Sequence, residues 1–134
     1  MANELAATSA HRVLVADDNP NIADSLTHLL QDSGNEVWTA YDGQEAVESA
    51  DRNHPDVVFL DLDMPKLSGY DVCRHIRQQP WGAKVIVVAQ TGWDQDIDKR
   101  RAQAVAFDHY LVKPVAPDLL LQLLSTLPFG EPDA

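Results

Sequence analysis

The 134-residue chain is 45% hydrophobic and 23% charged, the size and balance of one folded domain with one core. Ten Lys and Arg against 21 Asp and Glu leave a formal net charge of −11, which excludes a groove for nucleic-acid phosphates and favours a divalent cation or a basic partner. No apolar run reaches membrane-spanning length, the start of the chain lacks the basic and apolar regions of a secretory signal, and the one cysteine, Cys73, excludes an intrachain disulfide and fits a reducing, cytoplasmic setting.

Residues 1–10 read as a flexible N-terminal tail, residues 11–128 as the folded domain and residues 129–134 as a C-terminal tail. The first strand, RVLVA, covers residues 12–16 and stops at Asp17, Asp18 and Asn19. Pro20 suits the first turn of the helix that follows, where Ile22, Leu26, Leu29 and Leu30 recur on one face and Gly34 marks the end. A second strand covers residues 36–40, and a second helix covers residues 43–52 with Ala46, Val47 and Ala50 inward. Pro55 and Asp56 introduce VVFL at residues 57–60, apolar on both faces as in a central parallel strand. A loop over residues 62–68 leads to a helix over residues 69–78 with Val72, Cys73 and Ile76 inward. The fourth strand is KVIVVA, residues 84–89, and a helix with a thin apolar stripe (Ile97, Ala104, Val105) covers residues 94–105. The fifth strand covers residues 109–112, and Pro117 opens a last helix over residues 118–127. Strict alternation of strand and helix predicts an α/β fold: a five-stranded parallel sheet in the flavodoxin-like order 2-1-3-4-5, helices on both faces.

In such a sheet ligands bind beyond the carboxyl ends of the strands, where strand order reverses. Strand one ends at Asp17 and Asp18, strand three at Asp61, strand four at Thr91 and strand five at Lys113. Strands one and three are neighbours at the reversal, so three carboxylates converge. Two such charges about 4 Å apart repel by roughly 1 kcal/mol in water and about 4 kcal/mol at an intermediate dielectric. A divalent cation offsets that repulsion, and carboxylates with a carbonyl and waters form a ligand set for Mg²⁺. With the Thr91 hydroxyl and the Lys113 ammonium, the set describes phosphoryl transfer to an Asp nucleophile.

Four segments carry a resemblance: VLVADDNP at residues 13–20, PDVVFLDLDMPKLSGYDV at 55–72, VVAQTG at 87–92 and YLVKPV at 110–115. In this order, each at a strand end, they resemble the receiver domain of bacterial two-component response regulators. The resemblance implies a cytoplasmic phosphorelay domain that modifies itself and is not a turnover enzyme. It makes Asp61 the phosphoacceptor, with Thr91 and Lys113 on the phosphoryl oxygens. Asp18 binds Mg²⁺ directly, Asp17 through water, and Asp63 through its backbone carbonyl. Tyr110 matches the switch aromatic that turns inward with Thr91, and the Lys113–Pro114 bond is expected to be cis. The donor is a histidine kinase or a histidine phosphotransfer protein. The output is a partner protein or a second copy on the face of the fourth helix, fifth strand and fifth helix, where Leu119 and Leu121 widen an apolar stripe already built by Leu120, Leu123, Leu124 and Leu127. The chain departs from the family's pattern at Ala106, where Gly is usual, and Asp63 and Trp93 are expected to tune reaction rates.

Each feature also has a plainer meaning. Asp17, Asp18 and Asn19 alone read as a polar turn. Met64 and Pro65 read as a loop brace, Lys99, Arg100 and Arg101 as a solvated helix face, the five histidines as structural or surface residues, and Cys73 as core. The Asp61-Leu62-Asp63 segment also fits the nucleophile motif of haloacid-dehalogenase-like phosphatases, but there the acidic pair comes last. An interaction module that no longer uses phosphate is the second alternative, and the intact set of Asp17, Asp18, Asp61, Thr91 and Lys113 speaks against it. The sequence leaves open a stand-alone regulator or a receiver from a longer chain.

Overall fold

The structure is a computed structural model that describes residues 11–64, 66–92, 107–113 and 115–127. The expected tails, Trp93, the helix over residues 94–105 with its basic cluster, Ala106 and the geometry at Pro114 lie outside the described residues.

In chain order the elements are β1 (Arg12–Ala16), α1 (Pro20–Asp32), β2 (Glu36–Ala40), α2 (Gly43–Asn53), β3 (Val57–Asp61), α3 (Gly69–Arg77), β4 (Ile86–Thr91), β5 (His109–Val112) and a C-terminal helix (Pro117–Thr126). The strands form one sheet in the order β2-β1-β3-β4-β5, every pairing parallel, as the alternation predicts. All five residues of β3 are buried, because this strand has neighbours on both edges and helices on both faces.

Period-two alternation divides the core into two layers. Leu14, Ala16, Val58, Leu60, Val87 and Ala89 face α2 and α3, meeting Ala46, Ala50, Val72, Cys73 and Ile76. Val13, Val15, Val57, Phe59 and Val88 face α1 and the C-terminal helix, meeting Ala23, Leu26, Leu30, Leu120 and Leu124.

Three local expectations shift. The fourth strand begins at Ile86 and runs through Thr91 rather than covering residues 84–89. Its last two residues are polar yet laddered, with Gln90 opposite Asp61 and Thr91 opposite Val112. Ile22 is 48% exposed, because the inward stripe of α1 is Ala23, Leu26, Thr27 and Leu30. The Thr27 hydroxyl is satisfied by that of Thr39 at 2.8 Å, so a polar residue fits the stripe. Among the leucines of the C-terminal helix and its cap only Leu119 stands well exposed, while Leu121, Leu123 and Leu127 pack partly against the core.

Candidate functional site

Short-range signals set each strand end. After β1 the Asn19 side chain accepts from the N–H groups of Asn21 and Ile22, at 3.0 and 3.3 Å, and caps α1. The Asp17 carboxylate accepts the Asn19 N–H at 2.9 Å, so the acidic pair is held by a turn rather than free to avoid its neighbours. After β3, Leu62 donates to the Gln90 carbonyl at 2.9 Å, and the Asp63 N–H donates to Asp61 Oδ1 at 3.0 Å. The chain then enters α3 through a capping box. Ser68 Oγ accepts the Asp71 N–H and the Asp71 carboxylate accepts the Ser68 N–H. A Cβ on Gly69 would lie 2.6 Å from the Asp61 carbonyl oxygen, so only glycine lets α3 start this close to the end of β3. The segment between β3 and α3 is also tied across to α2: Lys66, with φ at 72°, pairs with Asp42 at 3.3 Å.

These ends meet as the strand order requires. Asp17, Asp18 and Asp61 each place a carboxylate oxygen within 4.8 Å of the others. Asp17 and Asp61 are 4% and 2% exposed, while Asp18 opens to solvent. Lys113 is not a rim charge: its Nζ lies 3.2 Å from Asp17 Oδ2 and 3.2 Å from Asp61 Oδ2, bridging the two. Its backbone N–H donates to the Thr91 carbonyl at 2.7 Å, so β4 sets the depth of the ammonium. Thr91 is buried at the end of β4, and Tyr110 lies half-buried in β5 opposite Ala89. Asp63 is exposed and outside the three-carboxylate cluster, with its N–H given to Asp61.

Burial pushes the Asp61 carboxyl above the ordinary carboxylate range, and the Asp18 charge pushes the same way. The Asp63 N–H and the Lys113 ammonium oppose it. Burial lowers the Lys113 ammonium, but Asp61 and Asp17 outweigh it and leave it raised. The ammonium therefore stays charged at neutral pH. Oxygen-only donors, three negative charges and one open carboxylate fit a hard divalent cation of the Mg²⁺ type.

A cavity of about 400 Å³ adjoins the cluster, lined by Ile22, Leu26, Phe59, Val115, Pro117 and Leu120 together with Asp17, Gln90 and Lys113. The sequence reading missed Gly69, Asn19 and the Asp42–Lys66 tie. The first had a legible signal, since Ser68 and Asp71 spell a capping box around it. Asn19 is an equally local signal, a capping side chain just before Pro20, and only the Asp42–Lys66 tie depends on which loops meet.

The response regulator receiver domain profile matches residues 13–125. The chain is 37% identical over 106 residues to the alkaline phosphatase synthesis transcriptional regulatory protein PhoP of Bacillus subtilis, covering 79% of this chain and 43% of that protein. It superposes on the chemotaxis response regulator CheY4 of Vibrio cholerae with a TM-score of 0.77 and 35% identity, over 84% of this chain and 93% of that one. It also superposes on the receiver domain of a sensor histidine kinase from Pseudomonas aeruginosa, solved with a magnesium ion in its active-site cleft. There the TM-score is 0.76 at 30% identity, covering 86% and 94% of the two chains.

Proposed function

Since the chain belongs to the response regulator receiver family, a signalling family of phosphorelays, we propose that Asp61 is its phosphoacceptor and that the cluster around it catalyses the chain's own phosphorylation. The observation that carries this reading is the bridging of Asp17 and Asp61 by Lys113 at 3.2 Å, beside the open carboxylate of Asp18. A buried carboxylate, a fixed ammonium and an open carboxylate thus share one crevice, which supports this reading.

Asp61 Oδ attacks the phosphorus of a phosphohistidine. The O–P bond forms as the P–N bond breaks, and the imidazole nitrogen keeps the bonding pair and takes up a proton. Asp17, Asp18 and Asp61, with the Asp63 carbonyl, would hold Mg²⁺, which when bound supplies positive charge to the phosphoryl oxygens. Lys113 holds a second positive charge at the same point, fixed in place by its backbone bond to Thr91. The Thr91 hydroxyl donates to a phosphoryl oxygen, and Tyr110 follows it, biasing a two-state surface. Water later returns the chain to its starting state. The donor is a histidine kinase or histidine phosphotransfer protein, and output runs through the face holding β5 and the C-terminal helix, where Val112 and Leu119 are exposed. The chain spans 43% of the PhoP relative, so an attached or separate output partner belongs to this proposal too.

The test is intact mass after incubation with acetyl phosphate and Mg²⁺, beside Asp61→Ala. One Mg²⁺-dependent phosphoryl group on the parent and none on the variant is the expected result. No gain on the parent, with Mg²⁺ binding demonstrated by titration, removes the acceptor chemistry and leaves a phosphate-independent module. Turnover of a generic phosphomonoester points instead to a phosphatase.

A further inference from the structure

Two aromatic rings, Tyr70 at the start of α3 and Phe107 just before β5, form a row with Tyr110 of β5. Tyr70, the second residue of α3, is 6% exposed, and its ring centroid lies 5.6 Å from that of Phe107, tilted by 44°. The Phe107 ring lies 6.5 Å from Tyr110 at an interplanar angle of 25°. Phe107 and Tyr110 both pack against the core layer under α2 and α3, to which Tyr70 belongs.

This row is anchored at its Tyr70 end and at its middle. At the acceptor end the Gly69 N–H donates to the Leu62 carbonyl at 3.1 Å, and Gly69 sits so close to the Asp61 carbonyl that a Cβ would collide with it. A shift of the Asp61 peptide therefore moves the first turn of α3, and Tyr70 with it. At the middle, Asp108 fixes the backbone beside Phe107. Its N–H donates to the Val87 carbonyl at 2.9 Å, and its carboxylate accepts the Val87 N–H at 2.8 Å and Arg77 Nη2 at 2.9 Å. The chain is thus held one residue after Phe107, whose ring lies between those of Tyr70 and Tyr110.

We propose that Tyr70 is a positioning residue for Tyr110: through the Phe107 ring it holds Tyr110 in its packed position and gives the acceptor strand a second line to the switch besides Thr91. This rests on the reading of Tyr110 as the switch aromatic. Losing one tilted aromatic contact corresponds to roughly a threefold to tenfold change in the ratio of packed to solvent-facing Tyr110.

The chain has three tyrosines, Tyr41, Tyr70 and Tyr110, so incorporation of 3-fluorotyrosine gives a short ¹⁹F spectrum in which Tyr110→Phe assigns the switch resonance. Its accessibility to a soluble paramagnetic agent reads the packed fraction. Tyr70→Leu is expected to raise that accessibility threefold to tenfold, while Tyr70→Phe, which keeps the ring, stays at the parent's value. If Tyr70→Leu does not fold, Phe107→Leu interrupts the same row and is expected to give the same rise. A Tyr110 resonance indifferent to Tyr70→Leu, or to Phe107→Leu, overturns the proposal. So does equal disturbance by Tyr70→Phe. Acetyl phosphate and Mg²⁺ are then added to the parent. A Tyr110 signal that follows Tyr70 but ignores phosphorylation keeps the contact yet overturns its role in switching, together with the switch reading. A signal that follows both supports the proposal.

Discussion

Lys113 separates two carboxylates that burial would otherwise leave in direct repulsion, and it stays charged because those same carboxylates raise it. Under the proposed mechanism the ammonium and a divalent cation would compete for the oxygens of Asp17 and Asp61 before phosphorylation, and would cooperate only once phosphoryl oxygens are present. Lys113→Ala is expected to tighten Mg²⁺ binding severalfold by calorimetric titration, yet to slow phosphorylation by acetyl phosphate by about a hundredfold, the usual effect of removing a donor to developing charge. Slower phosphorylation with weaker Mg²⁺ binding would contradict this account. Cys73 plays no part in such chemistry: burial pushes its thiol up to about 11, as suits a core residue.

Among the elements, α3 bears on the site most directly, because it starts against the peptide of Asp61, the proposed acceptor. Two substitutions in its first turn separate stability from positioning. Ser68→Ala removes the capping bond and is expected to cost about 1 kcal/mol in urea unfolding with little change in phosphorylation rate. Gly69→Ala places a Cβ 2.6 Å from the Asp61 carbonyl oxygen and 2.8 Å from Leu62 Cα. Backbone must shift to admit it, so the expected cost is about 1–3 kcal/mol, with a slower rate measured on the folded fraction. Equal rates in the two variants would mean that α3 carries the acceptor passively. At its other end α3 is tied down by Arg77, which reaches the carbonyls of Gly82 and Val85 and the Asp108 carboxylate.

For the whole molecule, pH and surface give two expectations. His11 is 3% exposed at the foot of β1, where its backbone N–H donates to Asn35. Burial lowers it below its ordinary 6.5, with Asp56 and a backbone bond to Leu124 opposing. The unfolded chain therefore binds the proton more readily. Stability is full above pH 6.5 and is lost as pH falls through the lower folded value. The urea midpoint is expected to drop between about pH 7.5 and pH 5, and His11→Gln is expected to flatten that part of the profile. An unchanged slope would assign it to other groups. On the surface, Leu119 is 48% exposed on the face proposed for output. Leu119→Glu is expected to change stability by no more than about 0.5 kcal/mol while abolishing phosphorylation-dependent self-association or partner binding in sedimentation. Leu121 is a poorer probe, because it packs partly against the core.

The sequence by itself determined the α/β alternation, the 2-1-3-4-5 order and the family. Apolar runs bounded by Asp, Gly and Pro are local signals, and a parallel sheet of five strands leaves few ways to connect them. It also placed Asp17, Asp18, Asp61, Thr91 and Lys113 at strand ends, since a polar residue closing an apolar strand is visible without coordinates. What only the tertiary structure decided is which of these touch. The bridging position of Lys113, the exposure of Ile22, the inward turn of Leu121 and the row from Tyr70 through Phe107 to Tyr110 all depend on how helices seat on the sheet. Helix rotation follows the packing of both layers at once, and a spacing rule that sees one helix at a time carries no term for it.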